Sequence, residues 1–243
     1  MLGFIEFDAD EGGMRLERAS RLGGTFLVLN MGRFARGMLA SRRAKRMAQR
    51  MREHGVRRAV FPLDFPFTAI FMRCGILPVD PMPLRRALCA AHVRRRLDAM
   101  GMTGEQAVVA VSGDYVSSSL EQTVMDLVRM YRYVLLSVPS GGEELAQRLR
   151  RECGAALVVS CVPEQLDRAD ALVLFAPRPD LRMENPVLCT LCADGRNGAD
   201  VPLSLGAELS AQVAPNCSQE QLAAALYTLG VLPAQRFLGE NTC

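Results

Sequence analysis

Short apolar runs alternate with amphipathic stretches of about ten residues or more along most of this chain, and that alternation limits the fold more than any other feature. Runs at 25–30, 58–63, 76–79, 107–111, 133–138, 155–162 and 171–176 have strand length, and residues 187–191 add one more. Between them, helical periodicity covers a basic segment closing near Gly55, then 67–74, 84–100, 120–130, 143–153 and 163–168, and a last helix spans 219–229. Strand–helix alternation of this kind predicts an α/β, Rossmann-like chain: β-α-β units, parallel sheets with helices on both faces, and right-handed crossovers. Residues 3–8 and 14–19 alternate apolar and polar around Asp10-Glu11-Gly12-Gly13, which predicts an N-terminal β-hairpin. The stretch 101–106 separates two complete β-α-β sets. The expected organisation is two β-α-β lobes joined by a linker helix over 84–100: residues 1–100 as an N-terminal α/β lobe with a basic helix, and 105–243 as a Rossmann-like lobe with a C-terminal helix. One continuous doubly wound sheet is the rival arrangement.

Composition removes several classes. At 49% apolar and 23% charged residues, the chain can bury a sizeable core and is not disordered. The longest apolar runs are under half the ~20 residues that a spanning helix needs. The first eleven residues hold acids where a signal peptide is basic and then apolar, so a cytoplasmic location is expected. The eight cysteines are then expected as reduced thiols. Cys189 and Cys192 form a single C-x-x-C with no second pair at matching spacing, so no metal site is expected and packing is the reading for both.

Charge is unevenly placed. Residues 1–104 carry 19 basic against 9 acidic side chains, a net of +10, whereas 105–243 carry 10 against 17, a net of −7. Much of the excess lies between Arg33 and Arg58, where ten basic residues meet one acid, Glu53. Phe34, Met38, Ala44, Met47, Ala48 and Met51 recur at helical spacing there, and Arg42, Arg46 and Arg50 form a row elsewhere on the cylinder. No aromatic residues interleave with the arginines to stack bases, which makes nucleic acid the less favoured partner.

Ligands of open parallel sheets bind beyond the carboxyl ends of the strands. In the second half that rule selects Ser112, Gly113, Asp114, Tyr115, Ser117 and Ser118, followed by Ser140, Gly141 and Gly142. In the first half it selects Gly32 and Arg33, at the start of the basic helix, and Asp64 after the next strand. Three helix starts, Ser118-Ser119-Leu120-Glu121, Ser140-Gly141-Gly142-Glu143 and Ser218-Gln219-Glu220-Gln221, also read as capping boxes. The order of small lobe, linker helix, Rossmann lobe and returning C-terminal helix resembles the shikimate dehydrogenase or methylene-tetrahydrofolate dehydrogenase architecture over residues 84–180. That resemblance implies NAD(P). The glycine fingerprint departs from it, since Gly113 stands alone, and the second strand ends in Ser137 rather than a ribose-binding acid.

The two histidines, His54 and His92, show no nucleophile–base pattern. The functional expectation is a Rossmann-like protein that binds a small anionic ligand or a protein partner without conventional NAD chemistry and without a membrane. An NAD(P)-dependent oxidoreductase with a serine-rich phosphate loop is the alternative. A nucleic-acid-associated protein using the Arg-rich helix is the second alternative.

Overall fold

The structure, a computed structural model, describes residues 1–7, 14–32, 38–192 and 201–238. The chain divides into two compact units, one of Met1–Pro81 with Leu203–Cys243, the other of Met82–Pro202. Among the described residues no helix is long and apolar enough to cross a membrane.

The first unit holds β1 (Gly3–Phe7), β2 (Met14–Arg21), β3 (Gly24–Met31), α1 (Met38–Glu53), β4 (Arg58–Val60), α2 (Thr68–Arg73) and β5 (Leu77–Pro78). Its sheet runs β2-β3-β1-β4-β5 and is parallel except for β2. An N-terminal hairpin is present, but it joins β2 to β3 rather than 3–8 to 14–19. Its two-residue turn, Leu22-Gly23, has positive φ at both positions (49° and 84°), the turn that matches strand twist. Asp10-Glu11-Gly12-Gly13 lies outside the described residues. The reason for the different pairing is burial. Phe4 and Ile5 are consecutive and both buried, which requires a strand covered on both faces and therefore a central place between β3 and β4. Strand β2 alternates between partly buried and exposed residues and takes the edge.

Helix α1 buries Ala44, Met47, Ala48 and Met51 against Leu27, Leu29 and Phe71, while Arg42, Arg43, Lys45, Arg46 and Arg50 are exposed. The amphipathic reading of this segment therefore holds. Phe61, Phe65 and Phe71 close the core as a cluster of tilted and edge-on rings 5.2–5.8 Å apart.

The second unit contains α3 (Met82–Ala99), β6 (Val108–Ser112), α4 (Ser118–Met130), β7 (Tyr133–Ser137), α5 (Gly142–Cys153), β8 (Leu157–Val159), α6 (Pro163–Asp167), β9 (Ala171–Leu174) and β10 (Val187–Thr190). Its five strands are all parallel, in the order β10-β9-β6-β7-β8. The connection reverses direction between β6 and β9, which makes this a doubly wound sheet with its switch point beside β6. Strands β6 and β9 are nearly all buried, as central parallel strands must be.

Helix α3 packs in this unit against α4, β9 and β10. Its Cys89 is buried beside Cys189 of β10, and the hydrogen bond between the two thiols together with burial keeps Cys89 protonated, its pKa well above the ordinary thiol value. His92 on the same helix is buried, and desolvation with the nearby Arg96 and Arg95 lowers its pKa. A base with a depressed folded-state pKa contributes stability above its unfolded value of about 6.5 and loses it as the pH falls below that. We expect urea midpoints to fall on acidification from pH 7 to pH 5, and a His92→Gln variant to show a flatter profile.

The chain then returns to the first unit with α7 (Gly206–Ser210) and α8 (Gln219–Thr228). An isolated bridge pairs Pro62 with Cys217, the Leu63 amide donates to the Asn216 carbonyl at 2.7 Å, and the Gln221 side chain accepts from the Phe61 amide at 2.9 Å. Leu222 to Leu226 of α8 are buried. This grouping differs from the expected 1–100 and 105–243 division: α3 goes with the second unit and residues 203–238 with the first. The stretch 101–106 is a packed turn, with Gly104 against the Met130 carbonyl at the end of α4.

Candidate functional site

The carboxyl edge of the second sheet is built by register. Thr190, Leu174, Ser112 and Ser137 are successive partners across β10, β9, β6 and β7, so their side chains share one face. Deeper on that face, Ala110 and Leu172 pack with Leu166 and Leu181. The edge row is thus where an apolar core gives way to buried hydroxyls. Ser112 and Ser137 are 0% and 1% exposed.

Both serines meet the same side chain. Arg178, four residues after β9, donates from Nη1 to Ser112 Oγ at 2.8 Å and to Ser137 Oγ at 3.0 Å. Its other edge donates to Asp180, from Nε to Oδ1 at 2.8 Å and from Nη2 to Oδ2 at 2.7 Å. The hydrogen bond to Asp180 raises the Arg178 pKa further, burial opposes it, and the charges of Asp180, Cys161 and Asp114 add to the rise. The sequence stations this guanidinium by its neighbours: Pro177 and Pro179 flank it, and a residue before proline is held in the extended region. A second guanidinium, Arg86 of α3, lies 5.8 Å from the Phe175 ring centroid at the ends of β9 and β10 and donates to the Leu191 carbonyl at 3.1 Å.

The loop after β6 contributes what the sequence singled out. The Gly113 amide donates to the Ser137 carbonyl at 3.1 Å, and a Cβ on Gly113 would stand 2.7 Å from Leu120 Cδ1 and 3.4 Å from Phe175 Cβ. Its glycine therefore serves the close approach of strand, α4 and the β9 loop. Asp114 and Tyr115 are exposed. Ser117, rather than Ser118, is the N-cap of α4, accepting from the Leu120 amide at 3.3 Å. Glu121 turns away to Arg148 at 2.6 Å, so the expected box starting at Ser118 does not form. Nor does the box at Ser140: Gly141, at φ 82°, caps α5 without a side-chain bond, Ser140 is exposed and Gly142 buried. A Cβ on Gly141 would lie 3.3 Å from Val116, which brings the β6 and β7 loops together. Ser218 does cap α8, accepting from the Gln221 amide at 3.4 Å.

Gly32 is buried after β3 and Asp64 is exposed after β4, both in the first unit. Arg33 lies outside the described residues. In that unit Arg43, Arg46 and Arg50 line a groove of about 440 Å³ with Met14 and Met47. Among the described residues no three His, Cys, Asp or Glu side chains converge as a metal set.

The strand order and this edge place the second unit among Rossmann-like α/β folds. Comparison of the sequence with protein-family models and with curated proteins finds no match. Comparison with solved structures finds L-tryptophan dehydrogenase from Nostoc punctiforme, with TM-score 0.36 and 15% identity over 70% of this chain. It also finds the catalytic subunit of M. jannaschii aspartate transcarbamoylase, with TM-score 0.31 and 12% identity over 76% of this chain and 64% of that one. A third is Trypanosoma cruzi aspartate transcarbamoylase bound to N-(phosphonacetyl)-L-aspartic acid, with TM-score 0.32 and 12% identity over 94% of this chain and 80% of that one. The chain spans about half the length of the tryptophan dehydrogenase, 51% of it. At these values the likeness assigns no activity.

Proposed function

We propose that the second unit binds a small oxyanion-bearing ligand, a carboxylate or a phosphate, at the carboxyl edge of its sheet, and that Arg178 is the group that reads it. The observation carrying this reading is the pair of buried hydroxyls, Ser112 and Ser137, that hold one edge of the Arg178 guanidinium at the sheet's switch point. Fixing one edge leaves the Nε–Nη2 fork, where Asp180 sits, as the edge that suits two oxygens of one anion. Ser118 and Ser140 are exposed after β6 and β7 and are offered as further hydroxyl donors to the ligand.

The oxidoreductase alternative keeps one specific observation in its favour. Arg178 sits on Ser137, the strand end where dinucleotide folds place the group that reads the adenosine ribose, and an arginine there suits the 2′-phosphate of NADP rather than NAD. Calorimetric titration with inorganic phosphate, succinate, NADP and NAD separates the two. Binding of phosphate or succinate, with NADP no tighter, is the expected result. Micromolar NADP binding would promote the oxidoreductase reading, and silence from all four would overturn the proposal. An Arg178→Ala variant should lose binding by at least about tenfold. It should also lose about 1–3 kcal/mol of stability, because two buried hydroxyls forfeit their charged partner. Denaturant melts of the ligand-free protein read the second effect.

A further inference from the structure

The outer fork of Arg178 is already filled, and by a residue two positions along its own loop. Asp180 takes the Nε and Nη2 protons in a bidentate pair at 2.8 and 2.7 Å, which is the contact a bound carboxylate would make. The two edges of the guanidinium differ in what holds them. The inner edge rests on two serines with almost no exposure, on adjacent strands whose register fixes them. The outer edge rests on a carboxylate whose side chain is 45% exposed, against 19% for Arg178. An exposed pair of this kind contributes little to folding, so its conservation of geometry costs the protein little to give up.

Asp180 also has somewhere to go. It lines a depression of about 410 Å³ together with Pro163, Glu164, Asp167, Arg168, Arg182 and Glu184. Arg168 and Arg182 are the cations of that depression, beside three further carboxylates. The hydrogen bond to Arg178 holds the Asp180 carboxyl below the usual carboxylate range, so the pair stays ionised at neutral pH.

We propose that Asp180 is an internal carboxylate that occupies the oxyanion fork of Arg178, and that the ligand binds by displacing it into the adjoining depression. This rests on reading Arg178 as the ligand's anchor. Its consequence is a self-competing site: the free form is closed by the protein's own carboxylate, and apparent affinity is reduced by the fraction of molecules in which the fork is occupied. The ligand's anchoring group must then present two oxygens in the plane of the guanidinium, as a carboxylate or a phosphate monoester does and a halide does not.

The test is calorimetric titration of the full chain with inorganic phosphate, succinate and chloride, for wild type, Asp180→Asn, Asp180→Ala and Arg178→Ala. Removing the competing charge should tighten phosphate or succinate binding roughly fivefold in both Asp180 variants, the scale on which an exposed bidentate pair favours its closed form. A residue with a merely structural role would weaken binding when replaced, so a gain excludes that role. Chloride should not compete. If Arg178→Ala loses binding but neither Asp180 variant gains, the internal-ligand inference falls and the anchor reading survives. If neither wild type nor the Asp180 variants bind any oxyanion, both fall. Tightening for phosphate alone, or for succinate alone, supports the inference and identifies which oxyanion the site takes.

Discussion

An Asn185→Asp substitution is expected to destabilise the second unit by about 3–5 kcal/mol at neutral pH, the cost of leaving a charge buried without a partner. Asn185 is 8% exposed, and its Nδ2 donates to the carbonyls of Leu166 and Ala169, each at 2.8 Å, with Asp167 at 3.4 Å. These carbonyls lie between the end of α6 and the start of β9, so one amide gathers the turn that feeds the central strand. A carboxylate would aim negative oxygens at three carbonyl oxygens. Asn185→Ala removes the donor without adding charge and should cost less, about 1–3 kcal/mol. The two variants are told apart by pH. The aspartate gains stability as the pH falls, because a protonated carboxyl can donate to one carbonyl, whereas the alanine variant follows the wild-type trend. Urea unfolding at pH 7 and pH 4.5 reads both, and equal losses for the two variants at pH 7 would refute the charge argument.

Gly104→Ala is expected to cost about 3–4 kcal/mol, combining a forced backbone shift with a lost hydrogen bond. A Cβ there would stand 2.1 Å from the Met130 carbonyl oxygen, which is backbone and cannot rotate away. The Gly104 carbonyl also accepts from the Arg132 amide at 2.8 Å, so any retreat of the turn breaks the contact that leads into β7. Gly101, three residues earlier, is the control. Its φ is +73° and nothing lies within 4 Å of its Cβ position, so Gly101→Ala pays only the left-handed conformational penalty of about 1–2 kcal/mol. Thermal melts of the two variants should therefore separate clearly, with Gly104→Ala the lower. A loss at Gly104 no larger than at Gly101 would mean that the turn is free to move.

The same glycine shows where reading by composition stopped. Gly101 to Gln106 has the residue types of a linker, and its tight packing depends on a carbonyl 26 positions away, which leaves no local mark. The hairpin is a second case. Alternation in 14–19 marks a half-buried strand, which the structure puts at the sheet edge, and the adjacent apolar residues Phe4 and Ile5, both buried, are the signal that β1 is not its partner. Arg178 is the third. The run 171–176 reads as a strand, and the guanidinium at the end of that strand stands two residues beyond it. Its mark in the sequence was present: Pro177-Arg178-Pro179-Asp180 restrains a cation and a carboxylate together at a strand end.

The sequence by itself determined the fold class, the sequence of strands and helices, and the apolar and basic faces of α1. These follow from periodicity and turn chemistry, which act over a few residues and are written into any short window. Only the tertiary structure decided the strand orders, the return of residues 203–238 to the first unit, and the meeting of Arg178 with Ser112 and Ser137, which are 66 and 41 positions away. Pairings over such separations depend on which apolar faces bury each other. A serine that ends a strand looks the same in the sequence whether it faces water, caps a helix or holds a guanidinium.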